Sequence, residues 1–223
     1  MAPISGPDLF TKIEKFSHAE ADATDGLILG TSWAVWKKPE GAIYTKESDV
    51  KYPGDDVART HAHARAILLA LNPGNDRDRG DWSNFHHSWA SRDQLLAEAC
   101  RGTGLWGSLM TDLYNDQFQS NSSKVLSEKE QSGRAVERLL NMVALTGEEA
   151  PLVICLGGKT FRGVKEGLDT LGASPTALRY IQTTHYSGAA AGKHKHDPGT
   201  YRELVHADIR QAGRGDLLEA PAP

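Results

Sequence analysis

Apolar residues are arranged in two patterns along this chain. In one, they form a short unbroken run, as at Ile67-Leu68-Leu69-Ala70-Leu71. A run with no polar alternation marks a strand buried on both faces of a parallel sheet. "LWGSLMTDLYN", "PLVICLGG" and "RYIQTTHYSG" read as three further strands. In the second pattern, apolar residues recur at helical intervals. "GRAVERLLNMVALTG" spaces its apolar residues at helical intervals, from Ala135 through Leu139, Leu140 and Val143 to Leu145. "RDQLLAEACRGTG" predicts a helix that stops at glycine, and "KTFRGVKEGLDTL" predicts another after the third strand. Earlier, Asp8 to His18 reads as a short helix. Leu27 to Thr45 reads as a hairpin or peripheral strands around a Pro-Glu-Gly turn. Alternating strand and helix predict an α/β protein, a three-layer α/β/α sandwich on a central, mostly parallel four-stranded sheet. Ligands of such sheets bind at the carboxyl ends of the strands, which here carry Asn72, Asp112, Gly157 and His185.

Length and composition narrow the picture further. A chain of 223 residues with 39% hydrophobic content can bury one sizeable core. The expected organisation is a single domain, with residues 1–60 as an N-terminal extension and 64–210 as the core. A formal charge of −4 excludes a protein coated in positive potential, so any nucleic-acid footprint must be local. Cys100 and Cys155 are too few for a disulfide scaffold or an all-cysteine metal site, and a reducing cytoplasm is the expected location. No apolar segment approaches the roughly 18 residues of a membrane span, so no membrane partner is expected.

Several motifs invite chemistry that their context denies. "GTGLWG", Gly102 to Gly107, matches a dinucleotide fingerprint in letters, but it follows a helix and enters a strand, the reverse of the required order. "LGGKT", Leu156 to Thr160, resembles the tail of a phosphate loop, yet Val153 stands where its first glycine belongs. A tight strand-to-helix turn is expected instead, with Lys159 free to meet one phosphate. His61 with His63, His86 with His87, and His194 with His196 each lack a third ligand nearby. Neither metal nor cofactor is expected.

"ALNPG", Ala70 to Gly74, resembles the first signature of the uracil-DNA glycosylase superfamily, in particular its mismatch-specific and single-strand-selective branches. "THYSGAAAG", Thr184 to Gly192, is similar to the second signature, the loop after the last strand. The likeness runs from Ala64 to Tyr201. It implies that Asn72 positions the water that attacks the sugar C1′, and that His185 donates to the base O2 as charge develops there. It places Leu71 and Gly74 on the pocket wall and gives Phe85 the role of stacking on the base, with Trp82 or Trp89 as substitutes. Gly74 stands where uracil-restricted members carry a bulky aromatic, which would admit a group on the pyrimidine C5. Asp112 stands where those members carry an asparagine that reads the base edge, and Asn115 is the alternative reader. A carboxylate accepts from a cytosine amino group and repels uracil O4.

The second signature also departs from the pattern. Tyr186 replaces its proline, and no aliphatic wedge follows in Ser187-Gly188-Ala189-Ala190-Ala191. Lys193, Lys195 and Arg202 offer phosphate contacts beside that loop, with Tyr186, Ser187, Gly188 and Lys159. In "NDRDRGD", Asp76, Asp78 and Asp81 either assist catalysis or pair with Arg77, Arg79 and Arg92.

The implied activity is that of a monofunctional DNA glycosylase. Its partner would be single- or double-stranded DNA, and its substrate a 5-substituted cytosine such as the hydroxymethylated or glucosylated forms of phage genomes, removed in antiviral defence. The alternatives are a uracil or mismatch glycosylase of base-excision repair, a catalytically inactive DNA-binding relative, and a nucleoside hydrolase.

Overall fold

The elements run α1 (Gly6–Ala21), β1 (Thr31–Trp33), α2 (Asp55–His61), β2 (His63–Ala70), α3 (Asp93–Cys100) and β3 (Ser108–Asp112). They continue α4 (Lys129–Thr146), β4 (Leu152–Leu156), α5 (Gly158–Leu171), β5 (Arg179–Thr183), α6 (Ala191–His194) and α7 (Pro198–Gln211). The computed structural model describes residues 4–21, 30–38, 44, 46–74, 81–86, 91–125, 128–174, 176–187 and 190–220. Local chemistry sets the helix ends. Gly147 and Gly172 close α4 and α5 in the left-handed conformation, at φ 69° and 62°. Asp197 caps α7 by accepting from the Thr200 N–H at 2.6 Å, and Pro198 opens its first turn.

The sheet has five strands in the order β1-β3-β2-β4-β5. β2, β3, β4 and β5 run parallel, as the alternation of strands and helices predicts; β3 and β4 are buried throughout, whereas β5, with no apolar run, is largely accessible at the sheet edge. The fifth strand is the departure from the expected four. Thr31–Trp33 pairs antiparallel with β3; the Pro-Glu-Gly turn, Pro39 to Gly41, lies outside the described residues. Three residues are too few to display alternation, and this strand is wholly buried at the sheet edge.

α1 packs against α2 and α4, which joins these described helices of the N-terminal segment to the core. Phe10, fully buried on α1, lies 5.6 Å from Trp33 and 5.0 Å from Trp82 between ring centres. α4 packs on α5, and α3 on α7, an arrangement consistent with three layers. Among the described residues no helix is long and apolar enough to cross a membrane.

Strand order fixes where a ligand can sit. The chain leaves β2 toward β3 on one side and leaves β4 toward β5 on the other. Connections that diverge in this way open a crevice above the carboxyl ends of the two central strands.

Candidate functional site

β2 ends at Ala70, and the chain runs on into this crevice through Leu71 to Asn72. Ala70 and Leu71 still accept from the Leu113 and Tyr114 N–H groups, both at 2.9 Å, so the strand end is held beyond its ladder. The Asn72 amide then turns to a neighbouring loop. Its Nδ2 donates to the carbonyls of Gln117 and Gln119, each at 2.8 Å. Two carbonyls can be satisfied only by the nitrogen, so the amide orientation is determined and Oδ1 remains an acceptor. Among the described residues, and apart from its chain neighbours, nothing lies within 4 Å of the position a Cβ would take at Gly74 (φ 79°), so they leave this part of the wall open.

A cleft of about 780 Å³ occupies the crevice. Asn72, Leu71 and Gly74 line it from β2; Phe85 and Asp112 line it from the next loop and from β3. His185, Tyr186 and Ser187 follow β5, while Lys159 and Lys193 stand at the rim. With one strand between β2 and β5, two spacings of about 4.8 Å separate the Asn72 and His185 ends of the sheet by roughly 10 Å.

His185 is prepared as a neutral donor. Its Nδ1 accepts from the Ser187 N–H at 2.9 Å, which leaves the ring proton on Nε2. The imidazole stacks on Tyr186 at 4.6 Å. Burial, and next the neighbouring His194, push its pKa down to about 4. Tyr186 in turn meets Tyr201 of α7 edge-on, and His194, fully buried, meets Tyr201 edge-on at 5.6 Å. The loop that carries His185 therefore rests on α7, a helix that the sequence reading did not single out. Asp197-Pro198, a capping residue followed by proline, was the available signal.

Other groups on the wall also lay outside that reading. Asn84 donates from Nδ2 to Asp112 Oδ2 at 2.7 Å, and both residues are buried. Asp93 brings a second buried carboxylate to the cleft at the start of α3. Phe85 lines the cleft with φ at 66°, and Trp82 and Arg92 near it also hold positive φ, 59° and 67°. Left-handed backbone at a non-glycine residue costs about 1–3 kcal/mol, and such strain gathers at ligand sites.

Some expected contributors sit elsewhere. Trp82 is buried in the core against Phe10 and Trp33, 6.2 Å from the latter, and does not line the cleft, because those apolar rings offer its indole more burial than the cleft wall does. Arg202 donates to the carbonyls of Glu98 and Arg101 at 3.1 and 2.8 Å and so ties α7 to α3 instead of facing phosphate. Lys195 is exposed behind α6, and Asn115 packs beside Gly30; neither lines the cleft. Lys159 does line it, with Nζ donating to the Ser122 carbonyl at 2.6 Å. Asp81 is exposed and away from the cleft. Gly188, Trp89, His87, Asp76, Asp78, Arg77 and Arg79 lie outside the described residues.

The remaining motifs act structurally. His63 and His86 bond the carbonyls of Trp106 and Trp33 at 2.9 and 3.1 Å. Gly107 of "GTGLWG" has φ 88°, and a methyl group there would overlap the His61 carbonyl. Gly157 and Gly158 make the strand-to-helix turn into α5. No protein-family model matches the chain, and no curated protein matches it in sequence.

Proposed function

We propose that this protein is a DNA glycosylase that takes a flipped, 5-substituted cytosine into the cleft and hydrolyses its N-glycosidic bond in the cytoplasm, as an antiviral defence against modified phage DNA. The observation that carries the reading is that Asn72 and His185, which follow strands far apart in sequence, line one cleft large enough to take a flipped nucleotide. The uracil-DNA glycosylase resemblance of their two motifs supports the same assignment.

Each chemical requirement then has a named group. The Asn72 amide, anchored through Nδ2, presents Oδ1 to hold a water against the sugar C1′. As the bond breaks, its electron pair passes to the base N1 and spreads to O2. His185 Nε2–H meets that oxygen without carrying charge itself. The water oxygen bonds to C1′, and its proton leaves to the departing base or to solvent. Phe85 supplies a ring for stacking, and the open wall at Gly74 leaves space for a group at C5. Lys193, exposed at the rim, is placed to meet a phosphate.

The test is direct. Oligonucleotides carrying cytosine, 5-hydroxymethylcytosine, its glucosylated form or uracil are incubated with the protein, and any liberated base is identified by mass. Release of a modified cytosine, reduced about 10²-fold or more in Asn72→Ala and His185→Ala, is the expected result. Equal or better release of uracil removes the cytosine assignment. Absence of release from every substrate removes the glycosylase.

A further inference from the structure

Asn84 is 8% exposed and lines the cleft, one residue before the ring offered for stacking. Its Nδ2 is committed to Asp112 Oδ2 at 2.7 Å, and Asp112 is itself buried at the end of β3. A carboxylate accepts and an amide nitrogen donates, so this bond settles which way the amide faces. Among the described residues Asn84 Oδ1 accepts no hydrogen bond. The wall at this point therefore offers an acceptor in a fixed orientation.

We propose that Asn84, held by Asp112, reads the amino edge of the flipped base, with Asp112 as its positioning residue. This rests on the glycosylase reading above and sharpens its substrate class. A fixed acceptor pairs with the exocyclic amino group of cytosine and opposes the O4 of uracil, whatever group sits at C5. Asp112 would thus select cytosine indirectly, by denying Asn84 the flipped orientation that would present its NH₂. An asparagine at 112 would remove that denial, because its own amide can either accept from Asn84 or donate to it.

The deciding pair of substrates is 5-hydroxymethylcytosine and 5-hydroxymethyluracil at the same place in one oligonucleotide, since they share the C5 group and differ at the edge in question. Wild-type protein should favour the cytosine form in kcat/KM by about 10- to 100-fold, the worth of one matched against one mispaired buried polar group. Asp112→Asn should bring the ratio to within about threefold by raising release of the uracil form. Asn84→Ala should collapse the ratio by slowing the cytosine form alone, whereas a general packing defect slows both. If Asp112→Asn fails to fold by its melting curve, Asn84→Ala decides. A wild-type ratio near one, or a ratio unchanged in a folded Asn84→Ala protein, overturns this assignment and leaves the glycosylase standing. No release of either base overturns both.

Discussion

A Cβ placed on Gly157 would lie 3.3 Å from the Cβ of His185, so the backbone at the end of β4 gives the imidazole its place. Gly157 also holds φ at 98°, which a side chain rarely adopts. Gly157→Ala should therefore displace His185 and strain the turn into α5. The expected outcome is a loss of about 1–3 kcal/mol in stability by denaturant melts, together with a fall in base release larger than the extra unfolded fraction explains. Unchanged kcat in the folded variant would mean that the histidine position does not matter.

The pH response follows from the same histidine. His185 has its pKa lowered to about 4 by burial and by His194, so base release should be flat on its account from about pH 5.5 to 8. Below that range protonation takes Nδ1 away from the Ser187 N–H, and the rate should fall. A rate that climbs from pH 8 to 6 would identify a charged imidazolium as the active form.

Stability should respond in the acid range as well. Burial lowers His63 to about 4 and His86 to about 3, against backbone bonds to Trp106 and to Trp33 and Val50 that pull upward. The unfolded chain takes up these protons near pH 6.5, before the folded one does. Their contribution is thus complete above 6.5 and is lost as pH falls, down to about 4 for His63 and about 3 for His86. For His86, buried in the core, the slope approaches about 1.4 kcal/mol per pH unit. Urea midpoints across that window measure it, and His86→Gln should flatten the slope.

Trp82 and Phe85 should separate packing from stacking. Trp82→Ala empties a site between Phe10 and Trp33 and should cost about 3–5 kcal/mol, while Trp82→Phe should keep base release near wild type. Phe85→Ala removes the cleft ring and should lower kcat/KM even where the protein is fully folded. The reverse pattern would put the indole, not the phenyl ring, against the base.

Lys193 tests the DNA surface. As an exposed cation at the cleft rim, it should lower the dependence of log affinity on log salt by about one when changed to alanine. Lys195→Ala, away from the cleft, should change that slope less, as titrations of labelled oligonucleotide at several salt concentrations would show.

Local pattern was enough to identify the four parallel strands and the principal helices between them, because β2 and β4, buried in mid-sheet, need near-continuous apolar runs and an amphipathic helix needs its period, while the half-exposed β5 shows only the Tyr180-Ile181 pair between polar residues. It also brought out the polar residues that close those strands, among them Asn72, Asp112 and His185, since a chain leaving a buried sheet must change composition there. Strand order, the antiparallel pairing of Thr31–Trp33 with β3, and the burial of Trp82 were decided only by contacts between segments far apart along the chain. The Asn84–Asp112 bond belongs with them: each residue alone is an ordinary polar side chain near a turn. Direction and partner emerge only when packing excludes water and leaves each donor one acceptor.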